Sequence, residues 1–209
     1  MRFTFAITTD YSNWKQLEEV YESIKKLNIP EFEVITIGPD DHSYDDENFR
    51  FIKFDETQKE RWVTRKKNIL CQEAKYENIV LMHDYYVFDE NWYNAYLKFG
   101  NDWDICSNAQ LMLNGKRHFT DWVVWDCPLY PRYSSLPYDE WALTRYMYQS
   151  GGYMNVKKQV MIDNPFNEEL TWGQADDVEW SLRVRDKYKW VCNGEAIVRH
   201  NKKHRDCNE

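Results

Sequence analysis

Glycine is scarce in this chain, 7 residues of 209, and none falls where a phosphate-cradling loop needs it. The segment after the first apolar run reads AITTDYSNW, with no glycine. That excludes the Gly-rich turn of dinucleotide enzymes and of nucleotidyltransferases. Cysteine is sparse too: Cys71, Cys106, Cys127, Cys192 and Cys207 are scattered, and no C-x-x-C spacing occurs. Neither a zinc site nor a disulfide framework is indicated. The thiols read as free in a reducing compartment, so a cytoplasmic location is expected. No run approaches about 18 apolar residues, the length a membrane-spanning helix requires. The opening MRFTFAITTD meets an acid too early for a signal peptide. Positive charge is in deficit, with 27 Lys and Arg against 35 Asp and Glu and a net charge of −8. That argues against nucleic acid and anionic membranes as partners. A small phosphorylated ligand stays open if a metal or a local basic pocket handles its charge.

What the chain has in plenty is aromatic surface: 17% of residues, including 10 Trp and 15 Tyr. Together with 43% hydrophobic residues, this suffices for a core and for a binding surface with flat apolar walls. The spacing predicts strands over 2–8, 32–38 and 49–54 and around 79–82, with helices over 12–28 and 59–74. Strands alternating with helices imply parallel β-α-β units, whose ligands bind beyond the carboxyl ends of the strands. After residue 100 the pattern degrades. DWDICSNAQLML and HFTDWVVWDC read as strands of a hairpin turned at Asn114-Gly115, and 128–141 reads as irregular.

Three places carry chemistry. The aliphatic strand Ile79–Met82 runs out into His83-Asp84, which delivers an imidazole and a hard carboxylate oxygen to the ligand edge, suitable for Mn²⁺ or Mg²⁺. The alternative is an Asp that starts a turn. A late strand, Ala196-Ile197-Val198, runs out into His200. Between them, Gly151-Gly152 allows close backbone approach, and WGQADDVEW sets Asp176 and Asp177 side by side at the start of a helix. Acids in a first helical turn are favoured by the dipole, and Glu179 and Arg183 pair at i,i+4, so a purely structural reading competes here. Two adjacent carboxylates do not suit a glycosidase, which needs them on opposite sides of the sugar. An HD-type phosphohydrolase places its His-Asp on helices rather than at the end of a strand.

With these residues quoted, the chain resembles an inverting GT-A glycosyltransferase, similar to glycosyltransferase family 2, over nearly its whole length. TRKKNILCQEAKYENIVLMHD (64–84) resembles the helix and strand that precede the family's metal motif. SGGYMNVKKQV (150–160) resembles its Gly-Gly strand. PFNEELTWGQADDVEWSLRVR (165–185) resembles its acidic motif, in which the second acid is the base. Two departures stand out: the metal motif reads His-Asp-Tyr-Tyr rather than Asp-x-Asp, and TIGPDD replaces Val-Asp-Asp-Gly-Ser.

The resemblance implies an α/β GT-A fold with a mostly parallel central sheet flanked by helices. It implies one domain over 1–209, with 1–100 the nucleotide-sugar half and 101–209 the acceptor and catalytic half. It implies transfer of a hexose or deoxyhexose from a UDP-sugar to a glycan hydroxyl, with Mn²⁺ or Mg²⁺ held by Asp84 and His200. Asp177 would be the base, with Asp176 beside it for orientation or acceptor binding. Thr8, Asp10, Asp40, Arg65, Lys66, Asn68, His83 and Gly152 would face the donor. The aromatic stretch 119–141 would line the acceptor site, with Asp121, Asp126 or Asp139 on sugar hydroxyls. Further domains of a longer polypeptide remain open. The competing class is a carbohydrate-binding module that keeps the fold without catalysis.

Overall fold

Every residue of β1 (Phe3–Thr8) is buried, as a central strand covered on both faces requires. The computed structural model describes residues 1–9, 14–39, 44–130 and 133–201. Side chains alternate between the two faces of the sheet. Phe3, Phe5 and Ile7 join a cluster with Leu17, Val20 and Ile24 of α1 (Trp14–Lys25) and with Trp92 and Tyr96 of α3 (Trp92–Phe99). Ala6 faces the other way. It joins Leu70 and Cys71 of α2 (Val63–Glu73), Val160 and Met161 of α4 (Lys158–Asp163), and Trp180 and Val184 of α5 (Asp176–Val184). The strand β4 (Asn78–His83) splits in the same way, Val80 and Met82 to one cluster and Ile79 and Leu81 to the other. The molecule is therefore a three-layer α/β/α arrangement.

The remaining strands of the main sheet are β2 (Phe32–Gly38), β3 (Phe49–Lys53), β5 (Tyr86–Phe88), β6 (Ile105–Leu111), β10 (Tyr153–Lys157) and β11 (Trp190–His200). The eight strands run in the order β3-β2-β1-β4-β10-β6-β11-β5. The first four are parallel, β10 is antiparallel to both of its neighbours, and β6 and β11 are parallel to each other. A second sheet has the order β8-β7-β9, antiparallel throughout, from β7 (Val123–Trp125), β8 (Tyr133–Ser135) and β9 (Met147–Tyr148). Among the described residues, no helix is long and apolar enough to cross a membrane.

The expected hairpin at Asn114-Gly115 forms only at its tip. Gly115 takes a positive φ of 77° and its N–H reaches the Met112 carbonyl at 2.9 Å. Pairing then stops after a single bridge, Leu111 to Arg117. β6 is an interior strand with β10 on one edge and β11 on the other. β10 pairs with β6 only at Ile105 and Cys106, and the returning chain meets β6 at the Leu111–Arg117 bridge alone before it is diverted into the second sheet.

Candidate active site

The carboxyl ends of β1 and β4 lie side by side, with Thr8 opposite His83 in the parallel register. Thr8 Oγ1 sits 2.9 Å from His83 Nδ1. One residue further, Thr9 Oγ1 donates to Asp84 Oδ2 at 2.5 Å, and Gln16 of α1 donates to the Asp84 carbonyl at 3.1 Å. The strand-end pair is thus oriented by the loop that leaves β1. Asp10 and Asp40 lie outside the described residues.

Pairing of β5 with β11 sets Tyr86 against His200, and the Tyr86 hydroxyl lies 3.1 Å from His200 Nε2. The Tyr85 ring contacts both imidazoles, at 5.5 Å from His83 and 4.7 Å from His200. His118, which the sequence motifs do not mark, lies parallel to His200 at 4.9 Å and 6°. Burial holds its pKa below the ordinary histidine value, against the pull of Asp121. Among the described residues, no group of three or more His, Cys, Asp or Glu is placed to hold a metal ion. A magnesium-type site needs only one or two protein carboxylates when nucleotide phosphates complete it, and among the described residues Asp84 offers a carboxylate at this edge.

The loop into α5 turns through Gly173 (φ 83°) and then Ala175, which takes the left-handed conformation as the residue before the helix. Neighbouring helical residues point about 100° apart, and that rotation separates the two acids. Asp176 turns inward, 7% exposed, and accepts from Lys67 Nζ of α2 at 2.9 Å. It is the buried counter-ion of Lys67. Asp177 turns toward β9. Its Oδ2 accepts from the Tyr148 hydroxyl at 2.7 Å and from the Gly151 N–H at 2.9 Å, and its Oδ1 accepts from the Val178 N–H at 2.9 Å. A carboxylate offers about four lone-pair directions, so these bonds leave one on Oδ1 for an incoming hydroxyl. Burial, and after it the Asp177 charge, raise the Tyr148 phenol well above its ordinary range, so it stays protonated and donates.

Gly151-Gly152 is the seam between the two groups. A Cβ on Gly151 would sit 2.8 Å from Lys67 Nζ and 3.1 Å from Asp177 Cβ. One on Gly152 would sit 3.1 Å from the hydroxyls of Tyr85 and Tyr86. The Gly152 carbonyl accepts from the His83 N–H at 3.0 Å, which carries the β4–β10 pairing up to the seam.

The α2 residues expected at the donor are engaged with protein partners. Arg65 pairs with Glu168 at 3.0 Å, and Lys66, buried, pairs with Glu56 at 2.6 Å. Asn68 clamps Phe166 by exchanging hydrogen bonds with its backbone N–H and carbonyl, at 2.8 and 2.9 Å. Arg65 and Asn68 brace the segment that leads to α5. The cation beside the acids is Lys67, one helical position away from the expected pair. Among the acids expected at the acceptor, Asp121 is buried between Arg117, the Tyr138 hydroxyl and the Trp122 N–H. Asp126 is paired with Arg185 at 2.8 Å. Asp139 lines a cavity of about 390 Å³ formed with Phe99, Tyr138 and Trp141.

Four parallel strands, an antiparallel strand inserted beside them and helices on both faces match the GT-A glycosyltransferase fold. The chain is similar to TarS of S. aureus, with 14% identity over 97% of this chain and 37% of that one, at a TM-score of 0.68. It is also similar to GalNAc-T7 crystallised with UDP, GalNAc and Mn²⁺, with 12% identity over 96% of this chain and 44% of that one, at a TM-score of 0.68. For TarS 1-349 in complex with UDP-GlcNAc the values are 13% identity, 99% and 60% coverage, and a TM-score of 0.66. The chain thus spans 37 to 60% of the length of these structures. No family model matches it, and no curated protein matches it in sequence.

Proposed function

We propose that the protein is a glycosyltransferase that moves a hexosyl unit from a UDP-sugar to a glycan hydroxyl with inversion at the anomeric carbon. The observation that carries this reading is the pairing, across the Gly151-Gly152 seam, of a strand-end carboxylate with a second carboxylate that has one lone pair uncommitted. Asp177 Oδ1 takes the proton of the acceptor hydroxyl as its oxygen attacks. Tyr148 and Gly151 keep the carboxylate aimed throughout, which is the positional part of general-base catalysis. Asp84, with His83 beside it, faces the nucleotide end. Asp84 and His200 are the residues that would hold Mn²⁺ or Mg²⁺, which when bound offsets the charge that develops on the leaving diphosphate. A single base acting on the far face of the sugar implies one displacement, hence inversion.

The neighbours crystallised with UDP, UDP-GlcNAc and Mn²⁺ support the choice of donor and ion. Calorimetry with UDP, with and without Mn²⁺, tests it directly: binding is expected and should weaken in EDTA and in Asp84→Ala. A protein that binds free glycans but shows no affinity for UDP would be a carbohydrate-binding module instead.

A further inference from the structure

The small sheet gives the acceptor side a shape. Its register pairs Trp125 with Tyr133 and Val123 with Tyr148. Because side chains alternate along a strand, Trp125, Tyr133 and Tyr148 rise from one face of this sheet. Val124 and Met147 take the opposite face and are buried in the core. The Trp125 and Tyr133 rings are parallel to within 2°, with centroids 6.2 Å apart. At that separation they are offset rather than cofacial, so each leaves part of its face uncovered.

The row continues at both ends. Trp125 lies 5.9 Å from Tyr148, whose hydroxyl bonds Asp177. Tyr133 lies 6.1 Å from Phe119. Phe119 is 47% exposed and Tyr133 45% exposed. A contiguous row of rings, partly buried at Tyr148 and Trp125 and exposed at Tyr133 and Phe119, leads away from the proposed base and is not the scatter of single apolar residues found on any surface.

We propose that the acceptor is an oligosaccharide whose successive sugar rings lie along Tyr148, Trp125, Tyr133 and Phe119, with the terminal hydroxyl at Asp177. This rests on the glycosyltransferase reading and narrows it: a monosaccharide reaches only the first ring. The chemistry favours a neutral sugar chain. Flat aromatic faces match the C–H faces of pyranoses, and Asp126, the residue after Trp125, is already paired with Arg185.

The test uses cello-, malto- and chito-oligosaccharides of one to four units, titrated by NMR or calorimetry against the whole chain without donor. In the series that binds, affinity is expected to climb with each unit up to the fourth. In Tyr133→Ala, an exposed position where folding is not at stake, the gain from the outer units should fall by about threefold or more. Trp125→Ala should remove more of it, and UDP affinity should be the same in both variants. Affinity that is equal for one and four units, or a length dependence that survives both substitutions, would overturn the proposal. A chain that shows the length dependence yet binds no UDP would separate this surface from the transferase reading, which alone would then fail.

Discussion

Replacing Asp177 by Asn exchanges one oxygen for an amide nitrogen at nearly constant volume. The remaining oxygen can still accept from Tyr148 and Gly151, while the amide occupies the direction that Oδ1 leaves for a proton. Turnover to acceptor is expected to fall by about 10²-fold or more, with UDP affinity retained. Steady-state rates alongside calorimetry read the two effects separately, and near wild-type turnover would reduce Asp177 to a helix-start acid. Lys67 is the complementary case. Its ammonium and the Asp176 carboxylate are 3% and 10% exposed, so Lys67→Met strands a buried charge. Urea denaturation should show a loss of about 3–5 kcal/mol, and adding Asp176→Leu should recover much of it. The sequence displays the two acids as a motif, but it does not say which one turns inward. That depends on where α2 brings a cation, and Lys67 is no different in type from Lys66, which pairs with Glu56 instead.

The entry into α5 stores backbone strain. Ala175 has φ 58° and ψ 38°, a conformation that costs an L-residue roughly 1–2 kcal/mol and that glycine adopts without penalty. Ala175→Gly is therefore expected to raise stability by about 0.5–1 kcal/mol after the extra chain entropy of glycine is deducted. Thermal unfolding measures this, and a destabilised variant would show that the turn is not strained. At this scale the first half of the fold was legible. Phe3, Phe5 and Ile7 on one face of β1 and Leu17, Val20 and Ile24 on α1 carry strong periodicity. The pieces that escaped were short: β5 and β8 have three residues each and β9 has two, too few to establish an alternation. The hairpin signal at Asn114-Gly115 was a true turn, but the returning chain leaves β6 after one bridge and pairs in the second sheet instead.

The order of strands decides how the molecule is held together. β5 belongs to the first half of the sequence, yet it sits at the far edge of the sheet, beyond β10, β6 and β11. β10 in turn lies against β4, with Tyr153 opposite Met82. Each half therefore supplies hydrogen-bonding partners that the other lacks. Expressed alone, residues 1–100 would leave the β4 edge bare and β5 without a ladder, and the fragment is expected to aggregate or stay unfolded. Co-expressed with 101–209 it should recover the circular dichroism of the whole chain. An independently folded 1–100 fragment would contradict that.

The interlock also bears on how such a chain can be altered. A chimaera cut near residue 100 takes the two sides of the β4–β10 and β11–β5 ladders from different parents. Donor and acceptor preferences cannot then be exchanged as cassettes. They have to be transplanted side chain by side chain, with the two glycines of the seam left untouched.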